Sequence, residues 1–144
     1  MEKLARLLHR FRAGPQVRRA TPDDMAALIV MCVDSLCEYG MDVTEGVEER
    51  VARYLAGVLT AGERAAILVT VDGKGQPTGM VTCGIGPPDL WNGEQAVLVD
   101  FLYSGQRGAP AVVMALLRGV TAQALAWGAD KCRITLDAKR RETI

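Results

Sequence analysis

The sequence predicts a mixed α/β domain, and three observations carry that prediction. Apolar residues recur at helical spacing in four segments, and at strand spacing or in β-branched runs in five others. Turns rich in glycine and proline separate these segments at short intervals, with no internal repeat and no low-complexity linker. The order that results is α-β-α-α-β-β-β-α-β, in which helices and strands alternate along the chain. A chain of 144 residues with 49% apolar content supports one such domain with its own core, and that content is too high for intrinsic disorder.

Residues 2–12 have the pattern of a short amphipathic helix. Leu4, Leu7, Leu8 and Phe11 fall at i, i+3, i+4 and i+7, and Lys3, Arg6 and Arg10 lie opposite. Gly14-Pro15 ends it, so residues 1–14 form a basic arm and residues 15–144 the domain proper. Gln16–Ala20 is a short strand. Thr21-Pro22-Asp23-Asp24 then signals a helix start: a capping threonine, a proline suited to the first helical position, and acids at the positive end of the dipole. That helix runs through Met25, Leu28, Ile29, Cys32 and Leu36 to about Gly40. A second spans about Thr44 to Leu59 with the stripe Val47, Val51, Leu55 and Val58, and Ala61-Gly62 closes it.

The period then changes. Ala65–Val71 and Thr78–Gly84 are strands joined by Asp72-Gly73-Lys74-Gly75, hence a hairpin. After a loop at residues 86–93, Ala96–Tyr103 is apolar on both sides, as expected of an inner strand covered on both faces. A glycine-rich turn, Ser104–Ala109, leads to a long helix from Pro110 to Trp127 with the stripe Val113, Leu116, Leu117, Val120, Ala124 and Trp127. Lys131–Leu136 is the last strand, followed by a charged tail.

Many chemistries are excluded by what is missing. The two serines, Ser35 and Ser104, lie outside any Gly-x-Ser-x-Gly, and His9 is the one histidine, so nucleophilic catalysis by a Ser/His or Cys/His pair has no parts. No phosphate-binding Gly-x-x-x-x-Gly-Lys-Ser/Thr occurs. Cys32, Cys37, Cys83 and Cys132 lack the spacing of a zinc site, so no metal is expected. They read instead as buried thiols of a reducing compartment, the cytoplasm. No apolar run reaches the length of a membrane span. One constellation remains: the turn from strand 96–103 into the long helix. Such a turn offers backbone N–H groups and a positive dipole end to a phosphate, and Arg107 adds a charge; alternatively Gly105 and Gly108 serve the backbone alone.

These features resemble the GCN5-related N-acetyltransferase superfamily over about residues 16–136. Arg18-Arg19-Ala20-Thr21-Pro22-Asp23-Asp24 is similar to its Arg-x-Ala-Thr-x-x-Asp opening, and Val99–Leu117 to its acetyl-CoA motif. The resemblance implies a mostly antiparallel sheet flanked by helices, here shortened at the C-terminus, and acetyl transfer from acetyl-CoA to a small-molecule or protein amine by direct attack. It implies that the backbone of Phe101, Leu102 and Tyr103 pairs with the pantetheine arm. The amides of the turn (Gln106, Arg107, Gly108, Ala109 and Ala111) would hold the pyrophosphate. Asp100, the one charge in its strand, becomes a general base for the amine, or else an acid paired with a neighbouring arginine.

Several positions depart from the pattern. Pro110 and Val112 stand where the motif has glycines, no tyrosine follows Tyr103, and the sequence ends at Ile144. The alternative is therefore a catalytically inactive protein of this fold with a structural or interaction role, such as a phage virion or assembly component. The arm would then dock a protein partner or a second copy. Nucleic acid is not an expected partner, since the arm's basic residues have no interleaved aromatics. Although the net charge is zero, its distribution is uneven. Residues 1–19 hold six basic groups against one acid, and residues 20–63 hold nine acids against two basic groups, a block suited to a cationic amine.

Overall fold

A computed structural model of the chain describes residues 14–105 and 108–134. The expected helix of the N-terminal arm, Gln106 and Arg107 in the turn, and the end of the last strand with the charged tail lie outside the described residues. Five strands form one sheet in sequence order: β1 (Gln16–Arg19), β2 (Ala65–Val71), β3 (Pro77–Ile85), β4 (Ala96–Tyr103) and β5 (Lys131–Ile134). All neighbours are antiparallel except β4 and β5, which are parallel. A parallel pair needs a crossover, and helix α3 (Pro110–Ala126) supplies it. The mostly antiparallel sheet flanked by helices is therefore as expected.

Side chains alternate between the two faces of the sheet. Ala66, Leu68, Val81, Cys83, Val97 and Val99 face α3 and pack on its Leu116, Val120 and Ala124. On the other face, Ile67, Val69, Met80 and Tyr103 pack on Leu28, Met31 and Cys32 of α1 (Met25–Glu38) and on Leu55 of α2 (Val47–Thr60). The line of α3 that reaches this core is Val112, Leu116, Val120 and Ala124, a ridge of four-residue steps. Val113 and Leu117, expected in the stripe, are half-buried beside it. The first turn of α3 presses against β3 at Gly79, where a Cβ would meet Val112 Cγ1 at 2.6 Å. Only glycine fits there.

The predicted start at Pro22 is a single 3₁₀ turn, Pro22–Asp24, leading straight into α1. Asp24 organises it, accepting the N–H of Thr21 at 2.8 Å. The same carboxylate takes a two-pronged ion pair from Arg18, with Nη1 to Oδ2 at 2.7 Å and Nη2 to Oδ1 at 2.8 Å. Asp24 is buried, and its pKa is held at about 2, chiefly by the Arg18 hydrogen bonds acting against the cost of burial.

Helix α2 begins at Val47, three residues later than the spacing predicts. Gly46 has φ of +85°, a left-handed conformation that stops the helix from extending back to Thr44. The cysteines also differ from expectation. Cys32 and Cys83 are buried, but Cys37 and Cys132 are exposed.

The β3–β4 loop is braced internally, with Asp89 Oδ1 accepting the N–H groups of Trp91 at 2.8 Å and Asn92 at 3.2 Å. It is also tied to the start of β5 by the Lys131–Glu94 pair at 2.9 Å. It presents Leu90 and Trp91, 87% and 90% exposed, to solvent.

Candidate functional site

The site is built on an irregularity in β4. Thr82 of β3 stands opposite Phe101, but the next residue, Cys83, stands opposite Val99. Asp100 is therefore an extra residue, a β-bulge. Strict alternation would send Phe101 to the face of Val97 and Val99. The bulge instead returns it to the α1/α2 face, so that Asp100 and Phe101, neighbours in sequence, line the same cleft.

That cleft has a volume of about 330 Å³. Cys32 and Leu36 of α1 form one wall, Arg50, Val51 and Tyr54 of α2 another, and Asp100 and Phe101 the floor. Tyr54 Oη lies 3.0 Å from Thr82 Oγ1, a hydrogen bond that fastens α2 to the sheet beside the bulge. Burial raises the phenol's pKa and the nearby charge of Asp100 adds to the rise, against the Thr82 hydrogen bond, so Tyr54 keeps its proton at neutral pH. Burial likewise pushes the Cys32 thiol up to about 11, so it is no nucleophile. Arg50 and Asp100 form no side-chain hydrogen bond or ion pair among the described residues, so no arginine pairing of Asp100 is seen within that part of the chain.

The sequence reading overlooked Arg50 and Tyr54. Their signal was available: they lie four residues apart on α2, flanking the apolar stripe at Val51, where a helix meets the rim of its packing face.

The other predicted residues follow β4 beyond the bulge. Pairing with β5 runs from Ala96–Lys131 to Val99–Ile134. Phe101, Leu102 and Tyr103 pair with β3 on one side and have no strand partner on the other among the described residues. Their outer edge is the one assigned to the pantetheine arm. In the turn, Gly105 and Gly108 have φ of +96° and +57°, so both serve the left-handed backbone. Gly108 N–H donates to the Gly105 carbonyl at 3.2 Å and Ala109 N–H to the Ser104 carbonyl at 3.4 Å, so both amides are engaged within the turn. Val112 and Val113 both donate to the Ala109 carbonyl, at 3.0 and 3.1 Å. Pro110 has no N–H, which leaves Ala111 as the donor of the first turn that is neither proline nor bonded to Ala109. The bulk of Val112 is accommodated at Gly79 on β3.

Among the described residues, no group of three or more His, Cys, Asp or Glu side chains is placed to hold a metal ion. No described helix is long and apolar enough to cross a membrane.

No protein-family model matches the sequence, and no curated protein matches it. Solved structures match the fold. A predicted acetyltransferase with acetyl-CoA from Clostridium acetobutylicum has a TM-score of 0.70 at 14% identity, covering 88% of this chain and 84% of its own. Glucosamine-6-phosphate N-acetyltransferase from Arabidopsis thaliana has a TM-score of 0.63 at 12% identity, covering 89% and 86%. Ribosomal-protein-alanine N-acetyltransferase from Brucella melitensis biovar Abortus 2308 has a TM-score of 0.65 at 15% identity, covering 90% and 89%. At such identities the likeness is one of fold.

Proposed function

We propose that this chain, whose fold is that of the GCN5-related N-acetyltransferases, transfers an acetyl group from acetyl-CoA to an amine. The observation that carries the reading is the bulge. It turns a carboxylate into a cleft at the point where the described pairing of β4 with β5 stops. The outer edge of Phe101–Tyr103, which has no strand partner among the described residues, fits an extended amide-bearing arm that pairs with strand groups. The N-terminus of α3, with Ala111, is the phosphate end of the same track, and Arg107 is the cation that the sequence places there. When bound, acetyl-CoA supplies an activated acetyl thioester.

The chain's own residues do the rest. The Asp100 carboxylate accepts a proton from the incoming ammonium, leaving a neutral amine with a free electron pair. Phe101, Leu36 and Val51 wall the cleft and limit water around that amine. Tyr54 holds its phenolic proton within the cleft and keeps α2 in place through Thr82. The acid-rich stretch of residues 20–63 contains both α1 and α2, the helices flanking the cleft, and favours approach of a cation.

Calorimetric titration with acetyl-CoA tests the reading, followed by an assay of thiol release with a panel of amines. Binding is expected, with release falling by about 10²–10⁴-fold in Asp100→Asn. Arg107→Glu is expected to abolish binding and leave the circular dichroism unchanged. No heat of binding at millimolar acetyl-CoA would sink the proposal.

A further inference from the structure

We infer that the acceptor is a small apolar zwitterion, an α-amino acid with a hydrophobic side chain or a close analogue. The inference deepens the acetyl-transfer reading and rests on it. Its basis is the pair of opposite charges in the cleft. The ion pairs among the described residues are Arg18–Asp24 and Lys131–Glu94. Arg50 and Asp100 line one cleft of about 330 Å³, yet they lie beyond ion-pair distance of each other, and neither side chain has another partner among the described residues. An acid and a base held apart at one small site match a ligand with both charges. The ammonium goes to Asp100, which must take its proton, and the carboxylate to the planar fork of Arg50.

Size and lining narrow the class. The volume lies near the lower end of the roughly 300–1,000 Å³ usual for small-molecule sites, which suits a single compact body. Leu36, Val51 and Phe101 form an apolar surface for its side chain. Arg50 also discriminates by repulsion. A simple amine brings a second cation beside the Arg50 guanidinium, and a diamine brings two. A neighbouring carboxylate cancels that penalty.

The test compares acceptors that share a body and differ in the carboxylate. Thiol release from acetyl-CoA is measured with phenylalanine against phenethylamine and with leucine against isoamylamine. The amino acids should show kcat/KM higher by about tenfold or more, the factor that one charge-assisted hydrogen bond supplies. Arg50→Gln should bring each ratio near one while its circular dichroism matches the parent. Equal or better use of the bare amines overturns the inference and leaves acetyl transfer standing. If nothing is acetylated, the acetyl-transfer reading fails, and calorimetry with phenylalanine alone judges the cleft. Binding that Arg50→Gln weakens about tenfold supports the zwitterion site, and no binding overturns it.

Discussion

The two halves of β4 have opposite surroundings although they are one continuous strand. Ala96–Val99 pairs with β3 on one side and β5 on the other, and Val97 and Val99 are sealed beneath α3. From Asp100 onward the strand is bulged, keeps only its β3 partner among the described residues, and borders a cleft. The first half is inner sheet, where alternation and burial leave little freedom. In the second, one extra residue has exchanged regularity for a charged group facing open space. Stability and chemistry are thus separated by a single residue.

That separation can be broken most severely from the closed side. Val97→Asp would bury an unpaired carboxylate in the α3-side core and should cost more than about 4 kcal/mol, enough to abolish the folded circular dichroism. Leu116→Ala, across the same core, should cost about 2–5 kcal/mol through the cavity it leaves, read as a lower urea midpoint.

The Arg18–Asp24 anchor, where β1 turns into the cleft-lining α1, comes next. Because the Asp24 carboxyl is held at about 2, below its ordinary 3.8, the stabilisation is present above pH 3.8 and fades as pH falls towards 2. Asp24→Asn should remove about 2 kcal/mol at neutral pH and flatten acid unfolding in that window. Tyr54→Phe strips the partner from buried Thr82 and should cost about 1 kcal/mol. The comparison is sharpest with Asp100→Ala. It lies three residues from Val97 in the same strand but is exposed, so the urea midpoint should shift by no more than about 0.5 kcal/mol while thiol release collapses.

Most of the fold was legible because its signals are local. Arg18-x-Ala20-Thr21-x-x-Asp24 reads as a helix start, and its spacing is what lets Arg18 reach back to Asp24. The hairpin, the long helix and β4 announced themselves by period. The late start of α2 was hidden because the left-handed conformation of Gly46 has no apolar pattern to mark it. The bulge was less legible still. With Val97, Val99, Phe101 and Leu102 all apolar, the β4 sequence satisfies either face, and only β3 decides the register. Asp100 was the visible clue, a charge with no place in a regular inner strand. The spacing of Arg50 and Tyr54 places them at the rim of the packing face of α2, but only tertiary packing makes them neighbours of Asp100.

The braced loop between β3 and β4 gives the protein an optical asymmetry. Trp91 is 90% exposed in the folded chain, so its indole already emits from water and changes little on denaturation. Trp127, half-buried and packed on the α3-side core, must supply most of any shift in emission. Intrinsic fluorescence therefore reports chiefly on the closed side of the sheet. A ligand entering the cleft on the opposite face would be nearly silent to it.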